Sequence, residues 1–264
     1  MNIYLRELKA NFKSLIIWVV IVLFLSVTGF TKFQAYAENP ELLAILDSMP
    51  KALLDAFNMQ AFNLTTISGF FGVMYTYYAL MAGIAAAMWG SDIISKEERD
   101  KTVEFSLVLP VTRSRVVTAK ALAALTNCVL LLVMMWGIVY VNAQSYQPDS
   151  EFYAFLTRSM GGLFLLQLIF LSIGLLLGCA MKQYKRSGAA AVAVILITYY
   201  FSVMTGLHEK LDFLKYLTPF KYVDAAMIWR ESKIEPVYLA LSAAIIVVSV
   251  VGAYITYSRR DLYI

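Results

Sequence analysis

Six long apolar runs separated by short clusters of charge constrain this chain more than any other feature. They span Ser14–Thr31, Ser68–Gly90, Val116–Asn142, Phe155–Met181, Ser187–Gly206 and Val237–Ser258. A helix rises about 1.5 Å per residue and the hydrocarbon layer of a bilayer is about 30 Å thick, so each run has the length a membrane crossing demands. Hydrophobic residues make up 60% of the chain and charged residues 15%, against roughly 45–50% and about 25% in soluble domains. The mean hydropathy of +0.68 agrees. The fold class expected is therefore all-α, a polytopic membrane protein with six transmembrane helices. No repeat, low-complexity tract or linker interrupts the chain, so residues 1–264 are read as one domain.

Several function classes drop out on composition. Cys128 and Cys179 both fall inside apolar runs, and His208 is the only histidine. Neither a disulfide framework nor a metal site is expected. A net charge of +4 gives no reason to expect a nucleic-acid partner. Lys9 and Lys13, the following apolar run and Ala35-Tyr36-Ala37 imitate a signal peptide. That run, however, exceeds the usual core of about 7–15 residues, so it is read as an uncleaved first span.

Lys and Arg placement sets the orientation. With the N-terminus inside, 14 basic residues, from Arg6 through Lys96 and Arg113 to Arg260, lie on one side, and 8 lie on longer loops of the other. Both termini are expected in the cytoplasm of a bacterial cell (inner membrane location). Residues 1–13 place Leu5, Leu8 and Phe12 on one helical face, as in a short helix lying on the inner leaflet of the lipid bilayer. Lys120 and Arg158, the charges nearest the interior, stand close enough to the span ends to reach the interface with long side chains.

No G-x-x-x-x-G-K-[ST] loop occurs, so the chain carries no phosphate loop of that kind. No G-x-S-x-G elbow occurs either. Glu97-Glu98 imitates the glutamate pair of intramembrane prenyl-protein proteases, but Thr102 holds the arginine position and partner histidines are missing. The spans contain no carboxylate of the kind that binds a driving ion, and no matching proline breaks. Energy for transport is therefore expected from another chain. The alternatives weighed beside this are a membrane receptor or scaffold without transport and an ion-coupled secondary transporter.

The segment between the second and third runs is the most charged. Ser95 with Glu98 fits a capping box that would start a new helix. Phe105, Leu107 and Leu109 form an apolar patch before Pro110, and Thr112 or Ser114 can cap the third span. A charged surface with apolar knobs suits docking to a soluble partner; a solvated loop that only fixes topology is the plainer alternative. The stretch Ser95-Lys96-Glu97-Glu98-Arg99-Asp100-Lys101-Thr102-Val103-Glu104-Phe105, followed by Pro110, Thr112, Arg113 and Lys120, resembles the cytoplasmic signature of ABC-2-type exporter permeases. Thr102, Glu104, Pro110, Thr112, Arg113 and Lys120 match the pattern; Lys101 stands where the family often has glycine.

The resemblance implies a transmembrane permease subunit of an ATP-driven exporter, moving an amphipathic or lipophilic cargo (peptide, drug or lipid) outward. Residues 1–13 would be the connecting helix. A coupling helix carrying Lys96, Glu97, Glu98, Arg99, Asp100, Lys101, Thr102, Glu104 and Phe105 would contact a separate ABC ATPase (nucleotide-binding) subunit. That partner would bind ATP and Mg, with no cofactor and no ATPase site in this chain, and a second permease chain, identical or paralogous, would complete the exporter.

In the same family the outer loop before the last span forms re-entrant helices. Leu214, Leu217, Pro219, Phe220, Tyr222 and Trp229 are the outer gate candidates here, and two short helices joined at Pro219 are expected. An interfacial aromatic belt is the alternative reading. Gly174 and Gly178 permit close helix approach, within the chain rather than between chains. Tyr75, Tyr77, Tyr78, Asn127, Gln167, Tyr199 and Tyr200 are the polar candidates for a pathway.

Overall fold

A computed structural model of the chain describes residues 2–37, 54, 62–99, 111–181, 183–207 and 209–259, and only the backbone at 97–99, 184–185 and 209. Among these residues there is helix and no strand. The long helices are α1 (Ile3–Ala37), α2 (Ile67–Arg99), α3 (Arg113–Gln144), α4 (Ser150–Ala180), α5 (Tyr184–Leu207) and α8 (Pro236–Ser258). Between α5 and α8 stand a 3-10 helix (Glu209–Tyr216) and two short helices, α6 (Pro219–Tyr222) and α7 (Ala225–Glu231). Among the described residues six helices are long and apolar enough to cross a membrane, and the chain is a multi-pass membrane protein.

Helix ends follow local chemistry. Thr112 caps α3 by accepting the Arg115 amide proton, as its position before the third run suggests. Asp149 caps α4, its carboxylate accepting from the Phe152 amide at 2.8 Å. Pro219 and Pro236 open α6 and α8 at positions where the missing N–H has no partner to lose. Ser232 closes α7 in the left-handed region, with φ of 57°. The expected pair of short outer helices is thus three short elements, with Pro219 at the start of the second.

Two expectations near the helix ends need correction. Residues 3–13 form no separate helix, because α1 runs unbroken from Ile3 through the first span. Ser95 starts no helix either: α2 passes through it to Arg99, and its hydroxyl donates back to the Ser91 carbonyl at 2.9 Å. That local bond satisfies a serine inside a helix as well as a cap would.

The core is the pair α2 and α4, which run parallel. Their seam is built from small residues. A Cβ on Gly174 would lie 2.3 Å from the Ala87 carbonyl oxygen, and one on Gly90 would lie 2.4 Å from that of Leu171. Gly178 faces Ser91 in the same way. The Gly174–Gly178 pair therefore serves packing within the chain, as expected, and lets two backbones touch where lipid tails offer no hydrophobic drive. α5 and α8 flank this core, while α1 packs chiefly on α3. Ser14 with Trp89, Ser26 with Tyr78 and Phe33 with Phe70 show α1 antiparallel to α2. One end of the bundle, the near end, thus carries the start of α1, Arg99, Arg113 and Ser258; the short helices lie at the far end.

Candidate functional site

At the near end the polar face of α1 turns inward. Glu7 and Asn11 are buried, whereas Leu5 and Phe12 are exposed. The stretch thus presents Leu5 and Phe12 outward and its carboxylate to α3, while Leu8 packs against the core. There it meets Lys120, which is 1% exposed. The Lys120 ammonium lies 3.6 Å from Glu7 Oε1 and donates to the Ile93 carbonyl of α2 at 2.6 Å. Arg6 reaches the same Glu7 oxygen at 3.1 Å. Lys120 therefore does not extend to the interface as its position suggested; it is drawn inward by oxygen partners, Glu7 and the Ile93 carbonyl among them, that offset the loss of water. Glu7 was missed because it precedes the apolar run. Its spacing of four from Asn11, opposite Leu5, Leu8 and Phe12, was the available signal.

Of the expected partner-contact residues, Lys96 lies half-buried on the last turns of α2, and Glu97, Glu98 and Arg99 complete that helix. Asp100, Lys101, Thr102, Glu104 and Phe105 lie outside the described residues, as do Pro110 and His208. α2 enters this segment and α3 leaves it. Arg113 at the start of α3 donates to the carbonyls of Tyr257 and Ser258 at 3.3 and 3.2 Å, tying α3 to the end of α8.

At the far end most gate candidates converge. The Phe220 ring sits 5.4 Å from both Phe170 of α4 and Tyr199 of α5. Tyr222 stacks on Tyr238 of α8 at 5.2 Å and donates to the Tyr216 carbonyl. Trp229 meets Phe155 edge-on at 4.8 Å. Leu214 and Pro219 are buried beside them, but Leu217 is 56% exposed and turns away. Arg158 is exposed and donates to Ser232 Oγ at 2.7 Å, linking α4 to the end of α7. Burial and the neighbouring Tyr238 push the Tyr222 phenol up from its usual range. A cleft of about 340 Å³ opens nearby among Asp212, Lys215, Lys221, Asp224, Arg230 and Glu235. Within it Asp212 and Lys215 pair at 2.6 Å, which raises the Lys215 pKa.

The interior polar candidates divide. Tyr78 is buried and shares a 2.9 Å bond with Ser26, and Tyr77 and Tyr200 are exposed. Tyr75 Oη, Asn127 Nδ2 and both amide atoms of Gln167 are buried without a hydrogen-bond partner among the described residues. Ser159, one turn before Gly162, shares that condition, and Gly162 itself faces Tyr75 Oη. Sequence reading missed Ser159, since a lone serine in an apolar run carries no pattern.

No curated protein matches the chain closely enough to count as a relative. A family model described as "ABC-2 family transporter protein" matches residues 1–262. That match covers nearly the whole chain, including the near-end junction, all six long helices and the far-end helices. The chain belongs to the ABC-2 family of transporter proteins and is a membrane transport component.

Proposed function

We propose that the chain is the permease subunit of an ATP-driven exporter, seated in a bacterial cell membrane with both termini cytoplasmic. The observation that carries this reading is that the end of α2 and the start of α3 lie together at the near end, joined by the Lys120–Ile93 bond. That end also bears Arg6, Lys96, Arg113 and Arg115. In sequence the two helix ends bracket the stretch that resembles the coupling signature, and a contact with a partner at this end fits that resemblance. The family match supports the same reading, and family members of this kind work with an ABC ATPase subunit.

In this mechanism the partner ATPase binds ATP and Mg, and a second permease chain, identical or paralogous, faces this one. Lys96 to Phe105 contact the ATPase. Closure of the ATPase dimer favours one arrangement of the helices over the other, and only that difference in binding can drive the change. The aromatic far-end helices, with Leu214, Phe220, Tyr222 and Trp229 packed inward, close the exit side. The cargo is amphipathic or lipophilic: a peptide, drug or lipid.

The test is co-purification of the permease with an ABC ATPase subunit co-expressed from the same organism. Glu98→Arg or Glu104→Arg should release the ATPase without unfolding the permease. Transport by the complex should survive collapse of the proton gradient and stop without ATP. A permease that binds no ATPase, or transport that follows the proton gradient, would overturn the proposal.

A further inference from the structure

The near-end ion pair does more than neutralise a buried charge. The bundle has two parts there: α1 packed on α3, and α2 packed on α4. Glu7 and Lys120 both belong to the first part, yet the Lys120 ammonium also donates across to the Ile93 carbonyl of the second at 2.6 Å. Ile93 stands six residues before the end of α2 at Arg99, and Lys120 seven residues after the start of α3 at Arg113. The bond thus joins, at one level, the two legs that flank residues 100–112.

Ile93 lies inside the continuous helix α2, where its carbonyl already serves the helix ladder. A carbonyl oxygen has two lone pairs and an ammonium three donors, so the cross-link forms or breaks without unwinding either leg. Glu7 holds the ammonium from the α1 side at 3.6 Å. Trp89, one turn before Ile93, donates to Ser14 of α1 at 3.0 Å, so the α1–α2 seam has a second polar contact next to the first. Packing alone gives no reason for this arrangement. A buried ion pair is frequently no more stable than apolar residues of similar volume, whereas its geometry is far more specific.

We propose that Lys120, held by Glu7, is a staple between α2 and α3 that keeps the two legs of the connecting segment together, so that they move as one body. Lys120 and Glu7 are positioning residues: they touch neither nucleotide nor cargo. The consequence for coupling rests on the reading of residues 96–105 as an ATPase contact. With the staple intact, a push on that segment is delivered to α1, α2 and α3 together. With it broken, the push is spent in splaying α2 from α3.

The test measures the legs in the permease alone, reconstituted in lipid nanodiscs with spin labels on cysteines replacing Asp92 of α2 and Arg115 of α3, both outside the proposed ATPase contact. The parent protein should give one narrow distance distribution. Lys120→Met should lose the narrow peak in favour of a longer, broad one, and Lys120→Arg, which still donates, should restore it. Because Lys120→Met leaves the buried Glu7 with Arg6 but without its ammonium partner, the double variant Glu7→Met with Lys120→Met guards against misfolding: it should recover thermal stability without recovering the narrow peak. A narrow distribution in the double variant would overturn the staple and reduce the pair to packing. The second arm measures ATP hydrolysis by the co-purified complex. A folded double variant should still bind the ATPase while its hydrolysis no longer shifts the distance between the labels. If even the parent permease binds no ATPase, the exporter reading falls while the distance result still judges the staple.

Discussion

Replacing Gly174 by alanine tests the central seam with a single methyl group. The new Cβ would sit 2.3 Å from the Ala87 carbonyl oxygen and 3.0 Å from its carbonyl carbon and Cα, where ordinary contact begins at 3.4 Å. Neither rotamer change nor side-chain motion can relieve a clash with backbone, so α2 and α4 must part by about 1 Å, a gap that forfeits a quarter to a half of each contact. For a patch with as many atom pairs as one buried leucine makes, about 40–60 at ~0.1–0.2 kcal/mol each, the loss is about 1–6 kcal/mol. Overpacked cores typically lose about 1–3 kcal/mol. Alanine returns about 0.5–1 kcal/mol through lower backbone entropy in the unfolded chain. A net destabilisation of ~2 kcal/mol is expected. Gly161→Ala is the control, since a methyl group added there meets nothing within 4 Å, and it should gain up to about 0.5–1 kcal/mol. Reversible unfolding of the purified protein in mixed micelles measures both. Equal stability of the two variants would refute the close α2–α4 approach.

Three further outcomes are expected. Phe220→Ala, which empties the space between Phe170 and Tyr199, should cost about 3–5 kcal/mol. Leu217→Ala at an exposed position should stay within about 0.5 kcal/mol of the parent; the same unfolding assay compares them. Cys128 and Cys179 are both buried, so neither should react with a maleimide until the protein is denatured, and rapid labelling of the native protein would contradict the packing. A cysteine replacing Gln147, in the left-handed turn between α3 and α4 with φ of 48°, should be labelled in intact cells by an impermeant reagent. One replacing Gln183, between α4 and α5, should be labelled only after permeabilisation, and the reverse pattern would invert the proposed topology.

The membrane fold was legible because it rests on local quantities. A run of apolar residues long enough for the bilayer must be a helix, since no other single segment satisfies its backbone in hydrocarbon. Ser187–Gly206 and Val237–Ser258 accordingly lie within three residues of the observed α5 and α8. The same local logic narrowed the α3 cap to Thr112 or Ser114, of which Thr112 serves, and picked out Gly174 with Gly178 as a contact surface. Where it failed, at Ser95, the competing local bond to Ser91 was equally open to a serine in a helix.

What only the tertiary structure decided is the partner of each polar group. Lys120 next to a span end could reach outward to water or inward to a carboxylate, and its own neighbours in sequence are the same in both cases. The choice depends on Glu7, 113 positions away in the chain, and on a carbonyl of α2. Phe220 and Leu217, three residues apart, likewise read as equal gate candidates until packing buried one and exposed the other. The sequence by itself determined six segments long and apolar enough to cross a membrane, because insertion is set segment by segment by transfer from water. Which helices touch, and which charges meet between them, was decided by tertiary packing, because small residues and buried polar groups act only when a second helix arrives.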